Sequence, residues 1–177
     1  QAPSPASSPA SATGTVQYDL TKEIFHPLHS RHGMVVTESA RASEVGLNVL
    51  RAGGNAIDAA VAIGFALAVT LPNAGNIGGG GFMLLHQAAS GKDTAIDFRE
   101  VAPAAAARNT FLDANGQVVP DKSLFTHAAV GVPGTVAGML YALDRYGSRA
   151  RASLMAPAIG LAEKGYVVDE QFALLLQ

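Results

Sequence analysis

Arg99 closes a short run, Thr94-Ala95-Ile96-Asp97-Phe98, whose alternation reads as a β-strand. A guanidinium at the end of an apolar strand is costly unless a carboxylate receives it. Two arrangements would meet that need. Arg99 could pair with Asp97 or Glu100 in an ordinary salt bridge, or its planar fork of donors could clamp the carboxylate of a bound small molecule. The strand phase puts Asp97 and Arg99 on one face, about 6 to 7 Å apart, with Thr94, Ile96 and Phe98 on the other.

Four consecutive glycines, Gly78 to Gly81, follow Asn73-Ala74-Gly75-Asn76-Ile77. Such a loop can turn its N–H groups inward as an anion nest. It is not a nucleotide fingerprint, because no Lys-Ser or Lys-Thr follows, the spacing is not G-x-G-x-x-G, and a strand comes next. A packing loop, the wall of a site and a plain turn stay open. His26, His29 and His32 recur every third residue, the spacing of metal ligands on a helix. Pro27 and Gly33 break any helix there and acids stand only at Glu23 and Glu38, so solvated or core histidines are expected and no metal site. Hydroxyls are plentiful, yet none lies in G-x-S-x-G or S-x-x-K, and the adjacent Thr126-His127 makes no triad. No catalytic residue is assigned to this chain; for acyl transfer the nucleophile would sit on another polypeptide.

Several elements must position these groups. Gly33-Met34-Val35-Val36-Thr37 is a β-prone run. Glu38 onward reads as helix with small or apolar residues at Ala40, Ser43, Leu47 and Leu50, stopped by Gly53-Gly54, with Arg51 favourable in the last turn. Asn55 and Asp58 form a capping-box variant that opens a second helix, apolar almost all round to Leu71 and therefore buried on most sides. Pro72 ends it. Phe82 to Gln87 and Thr94 to Arg99 read as two strands around a Ser90-Gly91-Lys92-Asp93 turn. A third helix spans Thr135 to Tyr146, with Val136, Met139, Leu140 and Leu143 in phase and Gly147 as its stop. A fourth lies around Pro157 to Lys164 and closes at Gly165. Asp169 caps a fifth, which runs out in mid-pattern at Gln177 and reads as a truncation or a processing point.

The 177 residues are 49% hydrophobic and 15% charged, which fits one folded domain or part of one and excludes a disordered chain. Twelve basic against fourteen acidic residues leave a net charge of -2, so no basic field exists to hold nucleic acid or an anionic membrane surface. Cysteine is absent, which removes thiol chemistry and disulfides and allows an oxidising compartment. The longest apolar run, between Ala59 and Leu71, is too short to span a bilayer, which takes about 20 residues. The Ala/Ser/Pro-rich opening to Thr15 cannot offset its ordering entropy and suits a tether after a removed signal sequence. Residues 1–28 are thus expected to be a flexible tether and lead-in, and 29–177 the folded portion.

From His29 to Leu176 the chain resembles the N-terminal part of the large subunit of a γ-glutamyltransferase. The segments that carry the resemblance are Gly33 to Thr37, Ala52 to Ala62, Gly78 to Phe82, Asp97-Phe98-Arg99-Glu100-Val101-Ala102-Pro103, and Gly131 to Gly138. The resemblance implies a mixed α/β (α+β) chain, a partial N-terminal-nucleophile hydrolase fold whose αββα sandwich is completed by missing segments. It also implies a self-cleaving precursor, a heterodimer of large and small subunits, and transfer of the γ-glutamyl group of glutathione and related compounds to water or to an amino acid or peptide. The nucleophile implied is a Thr at the start of the small subunit, activated by its own amine, with no metal or other cofactor. Arg99 maps to the arginine that holds the α-carboxylate of the γ-glutamyl group, which moves the clamp ahead of the salt bridge, and Glu100 becomes an orienting neighbour. A periplasmic or secreted location and no membrane span are expected. A cephalosporin or glutaryl acylase of the same fold, and a non-catalytic domain that binds a small anion, are the alternatives.

Overall fold

The computed structural model describes residues 28–176. The chain divides into two compact units, Gln1–His32 and Gly33–Gln177. Of the first, only residues 28–32 are described and they contain no helix or strand; His26 and the Ala/Ser/Pro-rich opening lie outside the described residues. The second unit carries the elements found among the described residues: α1 (Ala40–Arg51), α2 (Ala56–Thr70), β1 (Phe82–Gln87), β2 (Lys92–Asp97), α3 (Lys122–Phe125), a 3-10 turn (His127–Ala129), α4 (Thr135–Tyr146), α5 (Arg151–Lys164) and α6 (Glu170–Leu175).

Helix α2 is the centre. Its Val61, Ala62 and Phe65 meet Met139 and Leu143 of α4 and Leu154 and Ala158 of α5 in one buried cluster. Small residues set the spacing: a Cβ at Gly46 of α1 would fall 2.7 Å from Cγ1 of Ile63, and one at Gly64 would overlap the sulfur of Met139. The buried positions of α1 are accordingly Ala42 and Gly46, so its inward face is turned from the expected set led by Ala40 and Ser43. Close helix approach selects the smallest side chains rather than the most apolar ones.

The capping box of α2 forms as expected and does more than cap. Asn55 accepts from the N–H groups of Ile57 and Asp58, and Asp58 returns a bond to the N–H of Asn55 at 2.8 Å. The same carboxylate, fully buried, takes the backbone N–H of Ser148 at 2.8 Å, its hydroxyl at 2.6 Å and the N–H of Arg149 at 3.0 Å. Burial alone would raise the carboxyl's pKa; the hydrogen bonds from Ser148, Asn55 and Arg149 outweigh it and hold the group below its ordinary value. Asn55 also donates to the carbonyl of Tyr146 at 2.7 Å. One carboxylate and one amide thereby fasten the start of α2 to the corner between α4 and α5.

Strands β1 and β2 pair antiparallel, from Phe82 opposite Asp97 to Gln87 opposite Lys92. Met83, Leu85, Ile96 and Phe98 face α4 around buried Ala142. The outer face leaves Phe82 64% and Leu84 85% exposed. A two-stranded sheet with helices on one side and large apolar residues bare on the other is half of a layered architecture.

Three expectations are corrected. Residues 33–37 form no strand: Met34 and Val36 are exposed, and the only sheet among the described residues holds β1 and β2 alone. β-propensity without a partner strand produces extended chain and no ladder. Helix α5 starts six residues before Pro157, because burying Leu154 and Ala158 against α2 outweighs the bond that the proline removes. Strand β2 spans Lys92 to Asp97, so Arg99 stands just beyond its end.

Candidate functional site

Beyond β2 the ladder adds one more pair. Phe98 donates to the carbonyl of Gly81 at 3.0 Å, and Gly81 donates back to the carbonyl of Phe98 at 3.4 Å. Asp97 then turns its carboxylate to the backbone, where Oδ1 accepts the N–H of Arg99 at 3.0 Å. That bond bends the chain out of the strand and engages Asp97 with the main chain of Arg99. The guanidinium of Arg99 is exposed and has no ion pair among the described residues, so neither Asp97 nor Glu100 forms the salt bridge that the sequence left open.

Glycines hold this turn from two directions in sequence. A Cβ on Gly80 would come within 2.5 Å of the Glu100 nitrogen and 2.7 Å of the Arg99 Cα, one on Gly134 would overlap the Phe98 carbonyl, and one on Gly138 would overlap the Phe98 ring. The glycine run is thus a packing loop: its missing side chains, with those of Gly134 and Gly138, let two backbone segments close on residues 98–100. After Glu100 the chain leaves on a long excursion and returns at the mutual hydrogen bonds of Val101 and Val132, 2.8 and 3.3 Å. A cleft of about 470 Å³ opens between its two arms, with Arg99 and Glu100 beside Pro103, Thr110, Phe111 and Ala129.

Both residues singled out in the sequence, Arg99 and Glu100, therefore line one cleft, with a free cationic fork at its edge. Among the described residues no group of three His, Cys, Asp or Glu could hold a metal ion, and Thr126-His127 sits in the excursion, where the Thr126 hydroxyl donates to the carbonyl of Lys122 at 2.6 Å. Gly134 and Gly138 were not read as site residues; the available signal was a glycine at 138, next to Met139 in the apolar phase of the helix, and there α4 buries it.

A family profile described as Gamma-glutamyltranspeptidase matches residues 42–177. The chain belongs to the γ-glutamyltranspeptidase family. It is 51% identical over 158 residues to the glutathione hydrolase proenzyme of Escherichia coli K12, a match that covers 89% of this chain and 27% of that protein. The crystal structure of Helicobacter pylori gamma-glutamyltranspeptidase superposes with a TM-score of 0.80 at 52% identity, over 85% of this chain and 43% of that one. Cephalosporin acylase from Bacillus halodurans follows the same path at a TM-score of 0.70 and 32% identity, over 88% of this chain and 30% of that one. The chain spans about a quarter of the length of the curated relative. Its fold is part of the N-terminal-nucleophile hydrolase fold that these γ-glutamyltranspeptidase and acylase structures share. Among the described residues no helix is long and apolar enough to cross a membrane.

Proposed function

We propose that this chain is the part of a γ-glutamyltranspeptidase large subunit that grips the α-carboxylate of the donor. The observation that carries this reading is the Arg99 guanidinium, free of protein carboxylates among the described residues and set at the edge of a cleft by a backbone turn. A planar fork anchored in this way binds a carboxylate through two parallel hydrogen bonds. Glu100, on the same cleft, orients the bound head group and takes no part in bond making. The whole protein transfers the γ-glutamyl group of glutathione or related compounds to water or to an amine. The nucleophile is the Thr that self-cleavage exposes at the start of the small subunit, and an acyl-enzyme on that Thr links the two half-reactions. The partners are the rest of the large subunit and the small subunit of the same precursor, which cover the bare outer face of β1 and β2. The assembly works in the periplasm or outside the cell, and a cysteine-free chain is suited to either.

The acylase likeness sets the competing substrate. The complete precursor, expressed and allowed to process, should release the chromophore from a γ-glutamyl anilide and leave a glutaryl cephalosporin intact. Preference for the cephalosporin would replace the γ-glutamyl reading with the acylase one.

A further inference from the structure

We propose that Asn76 is a positioning residue for the Arg99 clamp, a role that rests on the reading of Arg99 given above. Its Oδ1 accepts two hydrogen bonds from opposite ends of the structure's glycine segments: the N–H of Gly79 at 2.7 Å and the hydroxyl of Thr135, 59 positions later, at 2.9 Å. The carbonyl of Gly79 in turn receives the N–H groups of Gly134 at 2.8 Å and Thr135 at 3.0 Å. The four-glycine turn and the start of α4 are thus tied at one point, and Asn76 supplies the side-chain bond of that tie.

What the tie holds is the backbone of the clamp. Gly80 follows directly and lies against Arg99 and Glu100, while Gly134 lies against the carbonyls of Phe98 and Arg99. A guanidinium at the end of a long side chain amplifies any rotation of the backbone that carries it, and a two-pronged bond to a carboxylate tolerates little of that. Thr135 is 8% exposed, and its hydroxyl donates to Asn76. Among the described residues the Asn76 amide nitrogen reaches only the carbonyl of Ala74, at 3.3 Å, so the acceptor oxygen is the part of the side chain that matters. A turn-stabilising asparagine with no such role would affect folding alone.

The test uses the complete processed enzyme, with kcat and KM per active site for a γ-glutamyl donor and for the same donor without its α-carboxylate, plus the melting temperature. Asn76→Ala and the near-isosteric Thr135→Val should each raise KM for the full donor about 3- to 10-fold, the effect of one lost hydrogen bond, with kcat changed less than about 2-fold. KM for the truncated donor should not move, and Asn76→Asp, which keeps the acceptor, should restore most of the affinity. If Asn76→Ala fails to process, Thr135→Val carries the comparison. Arg99→Ala in the same series separates the two claims. Should Arg99→Ala discriminate between the donors while Asn76→Ala and Thr135→Val lower only the melting temperature, or weaken both donors equally, the Asn76 assignment is overturned and the clamp stands. Should Arg99→Ala treat both donors alike, the clamp falls and the Asn76 role with it.

Discussion

The side chain of Phe98 lies against the backbone of Gly138 in α4, so close that a methyl group at 138 would overlap its Cβ and two ring carbons. This contact presses the end of β2 onto α4 and fixes where the chain turns out toward Arg99. It makes a glycine inside a helix, normally unfavourable by about 1 kcal/mol against alanine, the residue the site requires.

Gly138→Ala should therefore destabilise the complete protein despite its better helix propensity. Overpacking of this kind costs about 1 to 3 kcal/mol. A lower denaturation midpoint together with a raised KM for the donor is the expected pair of results; an unchanged or higher midpoint would show that Phe98 can move aside.

Asp58 makes a prediction about acid. Its carboxyl sits below its ordinary value of 3.8, so the charged form is favoured in the folded state. That contribution is present in full above the ordinary value and is lost as pH falls through the lower folded value. Wild type should exceed Asp58→Asn in stability by a constant margin near neutral pH, and the margin should shrink below about pH 4. Asp58→Ala, which removes the buried acceptor that Ser148 and Arg149 share, should cost about 1 to 3 kcal/mol at neutral pH. Denaturation midpoints at pH 7 and pH 3 check both; a margin that grows in acid would refute the assignment.

Phe82 and Leu84 predict how the 177-residue chain behaves by itself. With their face bare, it should bind a hydrophobic dye and self-associate, and Leu84→Lys should reduce both. The chain alone should turn over no γ-glutamyl anilide, since it holds the proposed clamp and no assigned nucleophile. A monodisperse monomer that ignores the dye would contradict the layered reading.

Much of this was legible in the residues. The Asn55 and Asp58 cap, the Thr135 to Tyr146 helix with its Gly147 stop, the Gly165 end of α5 and the Asp169 cap of α6 all rest on local chemistry, and they form where that chemistry places them. What escaped was set by distant contacts. Nothing near Asp58 in sequence announces Ser148, nothing near Asn76 announces Thr135, and the inward turn of α1 depends on Ile63 of another helix. The β-prone run at 33–37 forms no strand for the same reason, because a strand exists only with a partner. At the site the alternation grouped Arg99 with Asp97 and left the salt bridge open, yet the bond from the Arg99 N–H to Asp97, in place of an ion pair between the two, needed the turn to be seen.

The measurement that bears most directly on the account is kcat and KM for Arg99→Ala in the complete processed enzyme, per active site, with a γ-glutamyl donor and with its analogue lacking the α-carboxylate. Loss of one partner from a desolvated charge pair costs about 2 to 4 kcal/mol, so kcat/KM for the full donor should fall about 30- to 1000-fold. Arg99→Lys should recover only part of it, because an ammonium keeps the charge and loses the fork. The analogue, already without the carboxylate, should be turned over equally well by wild type and variant. An equal loss on both substrates, or near-normal kinetics with reduced stability, would contradict the clamp.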